Sequence, residues 1–156
     1  MTWWRPLADL LSGRRARTPD FLAEALELEA RGDFPNALTS YRLALRERPD
    51  DLRVLQNIAI AYSRAGQPDE ALRAYRRALV LDDRLAGAHY GLAFLLLKRG
   101  DAEGAAEHLE AFLALEPDGG AEGSRFRAHA ERTLHELRQA PAADAGQGAG
   151  HADDEA

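Results

Sequence analysis

Apolar residues recur at intervals of three and four along most of this chain, the spacing that gathers them on one face of an α-helix. Two such helical stretches flank Gly32, and the same arrangement returns around Gly66 and Gly100, at a constant interval of 34 residues. A glycine just beyond a helix permits the left-handed backbone conformation that ends it. The pattern therefore predicts three helix–turn–helix hairpins and six helices.

The residues before the helical stretches indicate where the helices begin. Thr18 is predicted to cap the first helix, with Pro19 at its first position. Residues 118–123 are predicted to form a loop, after which Ser124 caps a seventh, amphipathic helix. The apolar side of that helix consists of Phe126, Ala130, Leu134 and Leu137.

The residues around each glycine resemble the tetratricopeptide repeat family. A unit of that family places a large residue, a Leu-Gly pair and a Tyr before the turn, then Ala, an aromatic residue, Ala and Pro after it. In the first unit these places are held by Phe21, Glu24-Ala25, Leu28, Ala37, Tyr41, Ala44 and Pro49. The second unit has Leu55, Ile58-Ala59, Tyr62, Ala71, Tyr75, Ala78 and Asp83. The third has His89, Leu92-Ala93, Leu96, Ala105, Leu109, Phe112 and Pro117.

This resemblance implies an all-α fold, a right-handed α-solenoid of three helical hairpins with an N-terminal helix and a C-terminal capping helix. A single hairpin of this kind cannot bury its own apolar face, so the fold must come from the stacking of neighbours. The repeat region is expected to cover residues 18–119, in units at 18–51, 52–85 and 86–119.

The ends of the chain are expected to behave differently from the repeats. The seventh helix, within residues 120–140, is expected to cover the apolar end of the solenoid. Residues 141–156 hold no large apolar side chain and are expected to form a disordered acidic tail.

The third unit departs most from the family pattern. Phe112 stands where a small alanine would let neighbouring helices approach, and Gly87, Gly91 and Gly104 each weaken a helix by about 1 kcal/mol relative to alanine. We therefore expect adjusted packing or lower stability in this unit. The absence of a side chain at Gly91 leaves room for a bulky ring.

The resemblance also implies a ligand-binding groove on the concave side. Ligand-facing positions in the family lie ten, six and three residues before the turn glycine, and six of the nine such positions are apolar here. They are Leu22, Leu26, Glu29, Gln56, Ile60, Ser63, Tyr90, Phe94 and Leu97. An alternative is that some of these side chains belong to the core.

The nature of the groove lining predicts its ligand. The family's basic clamp for a carboxylate is missing, because Leu22, Leu26, Gly87 and Gly91 stand where polar or basic residues would be needed, although Asn57 matches one position. A hydrophobic or amphipathic segment of a partner protein fits better. Gln56, Asn57 and Lys98 are expected to supply its polar contacts.

The N-terminal segment, residues 1–17, carries a second apolar cluster. Its apolar side consists of Trp3, Trp4, Leu7, Leu10 and Leu11. This cluster could cap the first hairpin, fill the groove of its own chain, or join two copies in a homo-oligomer. The basic residues Arg14, Arg15 and Arg17 leave contact with an anionic membrane surface as a further alternative.

Composition and charge exclude several function classes. The formal net charge is −6 and the arginines are dispersed, so the chain lacks the concentrated basic face that nucleic acids require. It has no cysteine, and therefore no disulfide, thiolate zinc site or cysteine nucleophile. We found no secretory signal pattern and no apolar run long enough for a bilayer, which favours a cytoplasmic protein.

No residue pattern indicates catalysis, a metal or a cofactor. No two histidines stand three or four residues apart, and His89 is expected to be a packed ring. The serines lie outside any nucleophile elbow. We therefore predict a non-catalytic, protein-binding adaptor. Two alternatives stay open: a secretion or assembly chaperone for an aggregation-prone client, and a scaffold that self-assembles through the N-terminal segment.

Overall fold

The computed structural model describes residues 20–115 and 120–139, and these stretches are helical apart from short turns, with no strand in either. The helices are α1 (Phe21–Ala30), α2 (Phe34–Glu47), α3 (Leu52–Arg64), α4 (Pro68–Leu81), α5 (Ala86–Lys98), α6 (Ala102–Leu115) and α7 (Gly120–Gln139). The six predicted helices of the hairpins are confirmed, and a seventh follows them. The predicted N-terminal helix and acidic tail lie outside the described residues.

Aspartates cap the first helix of two hairpins and the second helix of one. The Asp20 carboxylate accepts a hydrogen bond from the Ala23 backbone N–H at 3.1 Å, and Asp33 and Asp51 cap α2 and α3 in the same way. The prediction that Thr18 caps the first helix was therefore wrong, because α1 begins at Phe21. A carboxylate satisfies a free amide of the first turn and also complements the positive end of the helix.

The seventh helix begins earlier than predicted. Its first residue is Gly120, so Ser124 lies inside the helix and the predicted loop over residues 118–123 was wrong for residues 120–123. Glycine weakens a helix by about 1 kcal/mol per residue without forbidding it. Burial of Ala130 and Leu134 further along α7 contributes the packing that such a helix needs.

The three glycine turns have the geometry that the sequence predicts. Gly32, Gly66 and Gly100 have φ angles of 77°, 73° and 79°, in the left-handed region. Past each glycine the next backbone N–H bonds back to a carbonyl five residues earlier, as from Gln67 to Tyr62 at 2.9 Å. This motif satisfies carbonyls at the end of the helix and reverses the chain.

Buried alanines recur at equivalent positions of the hairpins. Ala37, Ala71 and Ala105 are fully buried at the same place in successive hairpins. A second set, Ala25, Ala59 and Ala93, is equally buried on the first helix of each hairpin. Small side chains let the helix backbones approach, and the larger residues around them then interdigitate.

The buried residues form two clusters. The main core runs from α1 through to Ala105 of α6, and the second joins Ala93, Leu109 and Phe112 to Ala130 and Leu134 of α7. Phe112 is 3% exposed, so the bulky ring that replaces an alanine fills the space between the third hairpin and α7. This is the adjusted packing that the sequence predicts for the third unit.

A histidine pair links α5 and α6. The Nδ1 atoms of His89 and His108 are hydrogen-bonded at 2.9 Å, and Nε2 of His89 lies 2.9 Å from the Asp83 carbonyl oxygen. Such a bond needs one ring to accept, so at least one imidazole must be neutral. Burial, followed by the neighbouring His89, lowers the pKa of His108 below its usual value.

Replacing a turn glycine should destabilise the protein. Gly66→Ala forces a Cβ into the left-handed region and should lower the free energy of unfolding by about 1 kcal/mol, as measured by urea denaturation. Gly66→Asn should lower it less, because asparagine tolerates this conformation better. Nothing lies within 4 Å of the added Cβ, so a steric clash does not compete with this explanation.

The histidine pair should make stability depend on pH. Because the pKa of His108 is lowered in the folded state, the unfolded chain takes up a proton first as the pH falls through about 6.5. The free energy of unfolding should therefore decrease between about pH 7 and pH 5. His108→Asn should flatten this decrease in urea denaturation series. Equal pH profiles for the two proteins would contradict the assignment.

Candidate functional site: the inner groove

Two adjoining cavities are lined by residues of α3, α4, α5, α6 and α7. They have volumes of about 420 Å³ and about 220 Å³ and share Ile60, Arg64, Tyr75, Tyr90 and Gly91. The larger also involves Gly87, Phe112 and Phe126, and the smaller Ser63, Phe94, Leu95 and Lys98. We call the two together the inner groove.

The floor of the groove depends on a glycine. Tyr75 reaches from α4 to the backbone of α5, where a Cβ on Gly91 would lie only 2.8 Å from its Cε2 atom and closer still to its Cζ. Any side chain at Gly91 would therefore displace the ring. The expected bulky ring at Gly91 is thus that of Tyr75, and its burial raises the pKa of the phenol to about 12.

Aromatic rings form the wall of the groove. The Tyr90 ring has its centroid 4.7 Å from that of Phe94, 5.1 Å from Phe112 and 5.2 Å from Phe126. His129 stacks on Phe94 at 4.7 Å with the ring planes 9° apart, and its Nδ1 is hydrogen-bonded to the Tyr90 hydroxyl at 2.6 Å. Residues of α5, α6 and α7 thus build one aromatic surface.

The contribution of α7 was missed from the sequence. Phe126 was assigned to the apolar side of a terminal cap, and His129 was given no role, yet both contact Tyr90 of the groove. The helical spacing of Phe126 and His129 was the signal available. No turn glycine relates α7 to the repeat positions, so the spacing did not reveal which surface they join.

Glu29, predicted to face a ligand, is already bound within the protein. Its Oε2 accepts a hydrogen bond from the Tyr41 hydroxyl at 2.7 Å, and its Oε1 pairs with the Arg64 guanidinium at 2.9 Å. Burial, with this carboxylate beside it, raises the pKa of Tyr41 far above its usual value. The Arg64 charge in the groove is therefore largely neutralised by Glu29.

The remaining predicted groove residues are distributed over several surroundings. Ile60, Tyr90, Phe94 and Lys98 line the inner groove. Leu22 is 8% exposed and belongs to the main core. Outside the two cavities, Leu26 is exposed, whereas Gln56, Asn57 and Leu97 are half-buried. The self-association residues Trp3, Trp4, Leu7, Leu10 and Leu11 lie outside the described residues.

Neither a metal-binding cluster nor a membrane-spanning helix occurs among the described residues. Among residues 20–115 and 120–139, no three histidine, aspartate or glutamate side chains gather in a way that could hold a metal ion. In the same part of the chain, no helix is long and apolar enough to cross a bilayer. The inner groove offers aromatic and aliphatic contact surface beside the polar groups of Ser63, Arg64 and Lys98.

Comparison with known families decides the identity of the repeats. Two family models, each described as tetratricopeptide repeat, match residues 20–83 and 63–130. The chain belongs to the tetratricopeptide repeat family. The resemblance seen in the sequence is thereby confirmed, and the hairpins form an all-α tetratricopeptide solenoid. Concave surfaces of such solenoids serve protein–protein recognition.

Individual relatives agree with this family. The peroxisomal targeting signal receptor of Eremothecium gossypii is 33% identical over 86 residues, covering 55% of this chain but only 15% of the receptor. The Sgt2 tetratricopeptide domain of Aspergillus fumigatus has a TM-score of 0.65 at 27% identity, covering 92% of this chain and 97% of that domain.

A third relative was solved with a bound peptide. The type III secretion chaperone SycD of Yersinia enterocolitica, in complex with a peptide of the translocator YopD, has a TM-score of 0.70 at 18% identity. The alignment covers 76% of this chain and 89% of SycD. At this identity the likeness shows a shared fold.

A side chain at Gly91 should disturb the groove floor. Gly91→Ala should lower the free energy of unfolding by about 1–3 kcal/mol in urea denaturation, because the new methyl group displaces the Tyr75 ring. Tyr75→Leu removes that ring, so the double variant should lose less stability than the two single losses added together. Gly87→Ala is the control on the same helix, since nothing lies within 4 Å of its added Cβ. Additive losses would contradict the contact.

Proposed function

We propose that this protein is a non-catalytic adaptor that binds an apolar or amphipathic segment of a partner protein in the inner groove. The observation that carries the proposal is an open groove whose wall is aromatic. Ile60 is 37% exposed and Phe126 46% exposed, next to half-buried Tyr90 and Phe94. Apolar surface gathered in this way is typical of interaction sites.

The charges around the groove favour an apolar ligand over an acidic one. Arg64 and Lys98 are the basic residues that line the two cavities, and Arg64 is paired with Glu29. Gly87 lines the larger cavity without a side chain, and nothing lies within 4 Å of the position of its missing Cβ, so this cavity has room for an aliphatic or aromatic anchor of the partner. Burial of such an anchor supplies most of the binding energy in recognition of this type.

The other predicted groove residues would extend the contact with the partner segment beyond the two cavities. Leu26 and Leu97 would continue the apolar path, and Gln56, Asn57 and Lys98 would supply hydrogen bonds that position the partner segment. Leu22 would support Leu26 from the core, where it is buried. A helix laid in a groove or an extended segment both meet these requirements.

A second candidate is a secretion or assembly chaperone. The likeness to SycD, which was solved with a translocator peptide, favours this candidate. A chaperone should keep an aggregation-prone client soluble and co-purify with it, whereas an adaptor should bind partners that are already folded. Light-scattering assays of client aggregation, with and without this protein, separate the two.

Self-assembly through the N-terminal segment is a third candidate, taken from the sequence pattern alone. It predicts that deletion of residues 1–12 lowers the mass measured by size-exclusion chromatography with light scattering. An unchanged mass would exclude assembly by Trp3 and Trp4.

Truncation of a groove ring should weaken partner binding. Phe94→Ala should weaken the binding free energy by about 1 kcal/mol or more, because the substitution removes the ring that contacts the bound segment. Affinity purification with mass spectrometry identifies the partner of the intact protein, and calorimetry then compares the variants. Val80→Ala is the control, since Val80 is 85% exposed and lines neither cavity. Unchanged affinity for Phe94→Ala would remove Phe94 from the binding site.

A further inference from the structure

A second cavity region, which shares no residue with the inner groove, is rich in arginine. It lies between α2, α3 and α4 and has a volume of about 360 Å³. Arg42 and Arg46 border it from α2, and Arg73 and Arg77 border it from α4. Between them lie Leu45, Leu55, Ile58, Tyr62 and Ala74. We call this region the outer arginine groove.

The four arginines differ in the hydrogen bonds and ion pairs that they make within the protein. Nε of Arg42 donates to the Tyr62 hydroxyl at 3.1 Å, and its guanidinium carbon lies 5.6 Å from the centroid of the Tyr62 ring. These contacts hold the guanidinium in place through one of its nitrogen atoms. Arg46, in contrast, makes no ion pair or hydrogen bond within the part of the chain that the structure describes.

The other two arginines are already partnered. Arg73 pairs with Glu70, and Arg77 donates to the Pro49 carbonyl at 2.7 Å and lies 3.3 Å from Asp50. Four guanidinium groups therefore line the cavity with Glu70 as the carboxylate among its lining residues. A chain with a net charge of −6 thus has a local excess of positive charge at this place.

We propose that the outer arginine groove binds an acidic segment of a partner protein. Guanidinium groups donate pairs of hydrogen bonds to carboxylates, and Arg42 is already oriented for this by Tyr62. Leu45 gives the segment an apolar contact between Arg42 and Arg46. Two carboxylates, spaced to meet Arg42 and Arg46 one helical turn apart, with an apolar residue between them, match this arrangement.

A peptide matches this surface better than a nucleic acid does. Binding to a phosphate backbone calls for basic residues along an extended face, whereas these arginines surround one cavity with an apolar floor. The outer arginine groove would act in addition to the inner groove. One adaptor could then hold an apolar segment and an acidic segment at two separate places.

Fluorescence anisotropy with a designed probe tests this proposal on the full chain. The probe is a fluorescein-labelled peptide of about ten residues, rich in glutamate with a central leucine, and a matched peptide has glutamine at every glutamate. The glutamate peptide should bind and the glutamine peptide should not. Binding of the glutamate peptide should weaken with added salt, because salt screens the attraction between carboxylates and guanidinium groups near the surface.

Charge reversal locates the site. Arg46→Glu should weaken binding of the glutamate peptide roughly tenfold or more, because a guanidinium that donates to the peptide's carboxylates is replaced by a negative charge that repels them. Arg53→Glu is the matched control, because it gives the same net charge as Arg46→Glu. Arg53 is exposed on α3 and does not line the cavity, so this variant should bind the peptide as the unaltered chain does. Circular dichroism should show unchanged helix content for both.

Several results would overturn the proposal. These are the absence of binding by the glutamate peptide, equal binding by the glutamine peptide, or equal weakening by Arg53→Glu. Arg46-dependent binding of a single-stranded oligonucleotide without binding of the peptide would assign the groove to nucleic acid instead. Partner binding in the inner groove should be unaffected by Arg46→Glu, so failure here and failure of the proposed function remain distinguishable.

Discussion

The close packing of the helices around buried alanines is the constraint on which the rest of this molecule depends. Ala37, Ala71 and Ala105 have no exposed surface, and a larger side chain at any of them would push two helices apart. The distance between hairpins also sets the distance between α3 and α5. Each groove is lined by helices of neighbouring hairpins, so its width follows from how closely these hairpins pack.

Much of the fold could be predicted from the sequence because it is determined by local rules. A glycine at φ near 75° has to follow each first helix, and the interval of 34 residues revealed all three turns. Helix starts were less well predicted. Asp20 rather than Thr18 caps α1, because neighbouring residues compete for the cap and only packing decides between them.

The candidate site could be predicted only in part, because several of its contacts join residues that lie far apart in the sequence. Tyr90 and Phe94 were found because repeat positions carry over from unit to unit. The hydrogen bond from Tyr41 to Glu29 and the pairing of Glu29 with Arg64 join residues 12 and 35 positions apart, which no helical periodicity relates. The rings of α7 escaped prediction for the same reason. The outer arginine groove likewise arises only when α2 and α4 both pack on α3.

The stacking of His129 on Phe94 makes α7 part of the surface that a ligand would touch. A ligand that contacts Phe94 or Tyr90 meets rings that also hold α7 against the third hairpin. Ligand affinity and the attachment of α7 are then thermodynamically linked, and each changes the other by the same factor. If the coupling is negative, a bound ligand would loosen α7 from the third hairpin. If it is positive, the ligand and α7 would each hold the other in place.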